Sequence, residues 1–184
     1  SHFGINRFPI DRKRKETTMK KKLFVLPLVA LLLSLFCACG DLVTEGAFME
    51  NLSKHTADSF GQLTGVNIGT STEGYVVMEY RVNNAVVLDT YSDAATQELK
   101  YIRVVLNDAS AEVQNAEYFR CIALYCMKAY QKNLQLDAIN QIYNTLNLSD
   151  TTTAGVRRVK DKNISYSLTV SETGEAVFTV VYQQ

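Results

Sequence analysis

The last part of the chain alternates apolar and polar residues with a period of two, and this constrains the fold more than any other feature. Ile164, Tyr166, Leu168 and Val170 alternate with Ser165, Ser167 and Thr169. Ser171-Glu172-Thr173-Gly174 then turns the chain, and Ala176, Phe178, Val180 and Tyr182 alternate with Val177, Thr179 and Val181 on the way back. Successive side chains on a strand point to opposite faces, so the pattern predicts an antiparallel hairpin with one apolar and one mixed face. A lone hairpin is marginal in water. It needs a larger sheet beside it and a layer over its apolar side.

The preceding residues supply both. Tyr75 to Val82 predicts a strand with Val76, Met78, Tyr80 and Val82 on one face and Tyr75, Val77, Glu79 and Arg81 on the other. Asn83-Asn84 is expected to form a two-residue turn, since Asn tolerates positive φ. Ala85 to Tyr91 returns as the partner strand, and Thr96 to Leu106 makes a third, with a helical reading of 94–101 as the alternative. Gly61 to Gly74 is rich in Gly, Ser and Thr and reads as a loop, with room for a short strand around Val66 and Ile68.

Asp108 or Ser110 is the expected N-cap of a helix over 111–131. Its segment Cys121 to Met127 is apolar on every side, which suits central burial. A second helix is expected over 136–146, with a stripe of Leu136, Ile139, Ile142, Tyr143 and Leu146 and a stop at Asn147. Residues 149–162 read as a polar linker. The expectation is an α+β fold: an antiparallel sheet of about five strands, two helices packed on one face, in the order helix-β-β-β-α-α-β-β.

The N-terminal part has a different character. Met19 is followed by Lys20, Lys21 and Lys22, then an apolar run from Leu23 broken only by Pro27 and Ser34, then Cys37-Ala38-Cys39-Gly40. A charged start, an apolar stretch and a small-residue cleavage site define a secretory signal. The run is about 16 residues long, short of the roughly 20 that a stable spanning helix needs. Leu35 to Gly40 resembles the lipobox of bacterial lipoprotein precursors. That resemblance implies a cut before Cys39, a diacylglycerol thioether on the Cys39 sulfur, and a cell-membrane location on the extracytoplasmic face. Ala38, Cys39 and Gly40 match the pattern; Phe36 and Cys37 depart from it. Cys37 is the other candidate for the cut, and the bulk of Phe36 before it fits badly. The expected organisation is an over-called start or tag over 1–18, a signal peptide over 19–38, an anchor with a tether or short helix over 39–60, and one domain over 61–184.

Charge separates along the same boundary. Residues before Cys39 carry eight Lys and Arg against two Asp and Glu, whereas residues 39–184 carry eleven against seventeen. An acidic domain lacks the clustered cations that phosphate contacts need, so nucleic acid is not an expected partner. Cys121 and Cys126 are five residues apart on the expected helix, about 8 Å along its axis. That is too far for a disulfide, and they read as free, buried thiols.

No metal or cofactor is expected beyond the covalent lipid. His55 is the only histidine after the signal, and the chain has no H-E-x-x-H, G-x-S-x-G or P-loop motif. His55, Asp58 and Ser59 share helical spacing but lack the oxyanion site that a hydrolytic triad requires. Glu73, Glu79, Asp89, Asp93, Glu98 and Asp108 read as a solvated acidic surface, and Arg157, Arg158, Lys160 and Lys162 as a solvated basic linker.

Tyrosine is the one enriched functional type. Tyr75, Tyr80, Tyr91, Tyr101, Tyr166 and Tyr182 fall on expected strands, where aromatics can stack on sugars, grip a peptide or complete the sheet's own core. The leading expectation is a lipid-anchored, non-catalytic binding domain whose partner is the membrane together with an envelope protein, peptide or glycan. The alternatives are an envelope hydrolase using paired carboxylates, directed at glycan or peptide, and a structural partner in an envelope assembly.

Overall fold

In a computed structural model that describes residues 43–107 and 113–183, helix α1 (Glu45–Phe60) leads into four strands. These are β1 (Gly65–Thr70), β2 (Val76–Arg81), β3 (Val86–Ser92) and β4 (Leu99–Leu106). Helices α2 (Val113–Tyr130) and α3 (Leu136–Leu146) follow, and β5 (Gly155–Asp161), β6 (Ile164–Val170) and β7 (Ala176–Tyr182) complete the order. The fold is α+β. All seven strands form one antiparallel sheet in the order β1-β2-β3-β4-β7-β6-β5. Two consecutive meanders meet at the β4–β7 pair, where Tyr101 lies beside Val181 and Leu106 beside Ala176.

One sheet face makes the core. Val86, Leu88, Ile102, Val104, Leu106, Tyr166, Leu168, Phe178 and Val180 project from it and meet Phe48 and Leu52 of α1, Phe119, Ile122 and Met127 of α2, and Ile139, Ile142 and Leu146 of α3. Full burial of each such side chain contributes about 1.5–3 kcal/mol. Helix α2 lies across β3 and β4 and α3 lies against β5 and β6, as their apolar stripes require.

Several sequence expectations need correction. The sheet has seven strands and three helices cover it, not five and two. The first of the added strands is β1, the short strand the 61–74 segment had room for around Val66 and Ile68, which are 60% and 55% exposed. As an edge strand it has no buried alternation to read, and a bulge between Asn67 and Gly69 interrupts its register. The second is β5, taken for a polar linker. Basic residues on an edge strand guard it against further pairing, and they hide the strand from a pattern search. The third expected strand starts later, at Leu99, because residues 93–97 turn with Gln97 at φ 59°.

The Asn83-Asn84 turn is built otherwise than expected. Neither Asn has positive φ; the Asn83 side-chain oxygen instead accepts from the backbone N–H groups of Ala85 and Val86 at 2.8 and 2.7 Å. Side-chain chemistry replaces left-handed backbone.

The largest correction concerns residues 43–60, expected as tether or short helix. Thr44 caps α1 through Ala47 N–H, and the segment just before the helix is hydrogen-bonded to the start of β4: Leu99 N–H donates to Val43 O at 2.8 Å. Phe48 and Leu52 are fully buried, and Tyr80 O–H donates to Glu45. The helix belongs to the domain. Helix α3 has the expected bounds, and Asn147 ends it in the left-handed conformation (φ 48°). Helix α2 runs over Val113–Tyr130, inside the expected 111–131; the candidate caps Asp108 and Ser110 lie outside the described residues, as does the whole signal segment with Cys37 and Cys39.

Arg157 ties the end of α3 to β5. Its guanidinium donates to the carbonyls of Asn147 at 3.2 Å, Asp150 at 2.8 Å and Thr153 at 2.9 Å. Those carbonyls belong to a turn also held by the Asp150 carboxylate, which accepts from Thr152 and Thr153; hydrogen bonds from Thr153 and Thr152 keep that carboxyl well below its usual range. Arg157→Ala leaves several carbonyls without donors and is expected to cost about 2–3 kcal/mol, measured as a lower denaturant midpoint at unchanged slope. Arg157→Lys should recover only part of this, because one ammonium cannot span the same fan of acceptors.

Candidate functional site

The face of the sheet opposite the helices carries no covering layer among the described residues. Strand register sorts its side chains into rows. One row holds Val77, Tyr91, Tyr101, Val181 and Ser165. The next holds Glu79, Asp89, Arg103, Thr179 and Ser167, and the third holds Arg81, Val87, Val105, Val177 and Thr169. The β6 side is small and hydroxylated, and β7 adds Val177, Thr179 and Val181. The β2 to β4 side is aromatic and ionic.

The six candidate tyrosines divide between the faces. Tyr91 and Tyr101 stack with centroids 3.9 Å apart, and Tyr75 meets Tyr101 edge-on at 6.2 Å. Burial, with the neighbouring Tyr91 and Glu73, pushes the Tyr101 hydroxyl well above its usual range. Tyr80, Tyr166 and Tyr182 lie on the helix-covered side and are not part of this surface. Tyr80 is pinned to Glu45, and Tyr166 donates to Gln131 at 3.0 Å. Alternation along each strand puts Tyr75 opposite in phase to Tyr80, and Tyr91 and Tyr101 in phase with polar residues, so the division was readable in principle.

Asp89 and Arg103 stand next to the tyrosine row. Arg103 donates to Asp89 Oδ2 through Nε at 3.1 Å and Nη2 at 2.8 Å, and its guanidinium lies 5.9 Å from the Tyr91 ring centroid. Asp89 is only 3% exposed, and its second oxygen, Oδ1, has no hydrogen-bond partner among the described residues. A buried acceptor left unpaired is costly, which makes it the strongest signal on this face. Beside it opens a hollow of about 300 Å³ lined by Glu79, Arg81, Asn83, Asn107 and Glu175 among others. Glu79 sits directly across from Asp89 and pairs with Arg81 at 2.8 Å. The sequence reading placed Asp89 among the surface acids; its burial and its partner on β4 are long-range consequences of register.

The remaining candidates have structural employment. His55 stacks on Tyr125 at 5.8 Å, and Asp58 and Ser59 are exposed, with no hydrogen bond joining the three among the described residues. Asp93 accepts from Ala95 and Thr96 within its own turn, and Glu98 pairs with Lys100 at 2.9 Å. Glu73 is exposed, and Asp108 lies outside the described residues. Arg157 is committed to the turn after α3, while Arg158, Lys160 and Lys162 are exposed on β5 and its turn. Cys121 and Cys126 are free thiols as expected, but only Cys126 is buried, and burial pushes its thiol up. Cys121 is half-buried and lines a second hollow of about 360 Å³ with Glu117, Arg120, Leu124, Asn140 and Tyr143.

Among the described residues no group of His, Cys, Asp and Glu is arranged to hold a metal ion, and no helix is long and apolar enough to cross a membrane. No family model, curated protein or solved structure matches the chain.

Proposed function

We propose that the chain is a lipid-anchored, extracytoplasmic binding domain of a bacterial cell envelope, non-catalytic, and that it binds through the open sheet face around Tyr75, Tyr91, Tyr101, Asp89 and Arg103. The anchor is the lipid on Cys39, as the Ala38-Cys39-Gly40 resemblance implies. The observation that carries the binding reading is the Tyr91–Tyr101 stack beside the Asp89–Arg103 ion pair and a polar hollow, on a sheet face with no covering layer among the described residues. Such a combination of an apolar platform with a few fixed polar groups suits recognition of a ligand.

The hydrolase reading is the weaker one. Its best carboxylate pair is Glu79 and Asp89, which face each other across β2 and β3. A general acid must carry a proton in its resting state. Each of these carboxylates is instead engaged in an ion pair with an arginine at 2.8 Å. Two fixed ion pairs suit recognition better than proton transfer.

Because α1 belongs to the domain, only four residues separate Cys39 from the Thr44 cap. Fully extended, that stretch reaches at most about 18 Å, so the proposed anchor keeps the domain close to the bilayer surface. A photo-crosslinking amino acid placed at Tyr75 in the full chain, in cells, tests the binding face. The expected result is a specific adduct from Tyr75 and none from the same probe at Leu136, which is exposed on α3. Adducts from Leu136 alone would move the binding face to the helices and end this reading.

A further inference from the structure

We infer that the end of the sheet where the tether enters is a docking surface for anionic phospholipid headgroups, carried by Lys128, Lys132, Lys160 and Lys162 around the exposed Leu136. The inference rests on the anchor reading above and supplies the orientation in which the anchored domain sits.

Strand register defines that end. Val43, at the foot of the tether, accepts from Leu99 N–H at 2.8 Å, so the chain enters the domain where β4 begins. The close of β7 and the turn from β5 to β6 lie at the same end: Ile164 pairs with both Tyr182 and Asp161, and Gln183 N–H donates to Asn163 O at 2.7 Å. Lys162 is therefore three strand spacings from the tether, about 14 Å across the sheet. The connection between α2 and α3 comes to this end too. Gln131, just past α2, accepts from Tyr166 near the start of β6. Arg157 holds the close of α3 against the start of β5, at the opposite end, which leaves Leu136, the first residue of α3, at the tether end.

Lysine is distributed unevenly over the domain. Six lysines follow Cys39. Lys54 and Lys100 pair with Glu50 and Glu98 at 3.0 and 2.9 Å. The other four are exposed, form no ion pair among the described residues, and all stand at the tether end: Lys128 in the last turn of α2, Lys132 just after it, and Lys160 and Lys162 on either side of Asp161. Asp137 and Asp161 offset half of that charge. Glu45 is held by Tyr80, Asp93 accepts from its own turn, and Glu73 lies beyond the tether on the turn between β1 and β2. A positive excess thus remains at one corner of an acidic domain, while Glu172 and Glu175 stand at the opposite end. A negatively charged surface attracts that corner and repels the rest, which orients the domain as well as holding it. Leu136, 70% exposed, lies among lysine stems that can reach along an interface, so it can enter the headgroup boundary while the ammonium groups meet phosphate.

Tether length selects the bilayer as the occupant. The stretch from Cys39 to Thr44 spans at most about 18 Å, comparable with the width from tether to Lys162. An acylated Cys39 therefore holds the lysine corner within reach of the headgroups.

Tethering alone leaves the domain free to pivot, so the test separates pivoting from docking. The full chain, purified from membranes, is reconstituted into vesicles of phosphatidylcholine alone or mixed equally with phosphatidylglycerol. A fluorescent amino acid at Leu136, or at Glu172 on the opposite end, is quenched by headgroup-spin-labelled lipid. The expected result in phosphatidylglycerol vesicles is quenching at Leu136 at least about threefold stronger than at Glu172, reduced by high salt to the phosphatidylcholine level. Joint substitution of Lys128→Gln, Lys132→Gln, Lys160→Gln and Lys162→Gln should produce the same reduction, and Lys54→Gln should leave the quenching unchanged. All four positions are exposed, and thermal melts confirm that the variant is folded. Quenching at Leu136 that is equal in both vesicle types and indifferent to the four substitutions overturns the docking, as does stronger quenching at Glu172; with an acyl group present by intact mass, the anchor reading then stands alone. Lysine-dependent quenching of a chain that intact mass shows to be unacylated keeps the docking and removes the anchor. In the crosslinking experiment above, a phospholipid adduct at Leu136 belongs to this contact, and the protein and glycan adducts decide the binding face.

Discussion

Phe48→Ala is expected to destabilise the domain by about 3–5 kcal/mol, a large share of the roughly 5–15 kcal/mol that holds a domain of this size together. The side chain is fully buried, its ring meets the Tyr130 ring edge-on at 6.4 Å, and it stands in the same core cluster as sheet and helix residues remote in sequence. Removing it leaves a cavity that the surrounding sheet and two anchored helices are too constrained to close. Urea unfolding followed by circular dichroism measures the loss as a lower midpoint with unchanged slope. The size of the effect decides between two views of residues 43–60. If they are a tether, truncating Phe48 changes stability by less than about 0.5 kcal/mol, as at an ordinary surface site. If they are the first helix of the fold, the full penalty appears. Val66→Thr, on the exposed edge strand, is the appropriate control and should be close to neutral.

Cys39→Ser is expected to abolish incorporation of labelled fatty acid into the chain and to leave the 19–38 segment attached, whereas Cys37→Ser should label as the unaltered chain does. The reason is chemical: a serine hydroxyl cannot form the thioether that the lipobox resemblance implies. A single acyl chain holds a protein to a bilayer only marginally, and each buried methylene adds about 0.8 kcal/mol, so the two chains of a diacylglycerol are what make the attachment durable. The Cys37→Ser arm separates the two possible cut sites. Label lost from Cys37→Ser and retained in Cys39→Ser would move the anchor two residues upstream.

Much of the architecture was legible because it is encoded locally. The 164–182 hairpin, the β2 strand and helix α3 with its Asn147 stop show strong period-two or 3.6-residue patterns, and their bounds agree with the structure to within one residue at each end. What escaped was encoded at long range or at edges. The polar alternation of β5 looks like a linker until β6 lies beside it, with Arg157 next to Leu168 and Val159 next to Tyr166. Helix α1 has a weakly patterned face, and its membership of the core is decided by the Val43–Leu99 and Glu45–Tyr80 contacts, neither of which a local window contains.

The candidate site divides in the same way. Aromatics were found by composition, but six tyrosines resolved into three on the open face and three facing the helices only once strand phase was fixed. Asp89 was visible as one acid among several. Nothing local distinguishes it from Glu79 or Asp93; the distinction comes from Arg103, fourteen residues on, which register places opposite it.

The account depends most on attachment through one sulfur atom, and intact-mass spectrometry of the protein isolated from cell membranes tests that directly. The predicted species begins at Cys39 and carries the mass of a diacylglycerol on its first residue. An unmodified chain beginning at Met19, recovered from the soluble fraction, would contradict it.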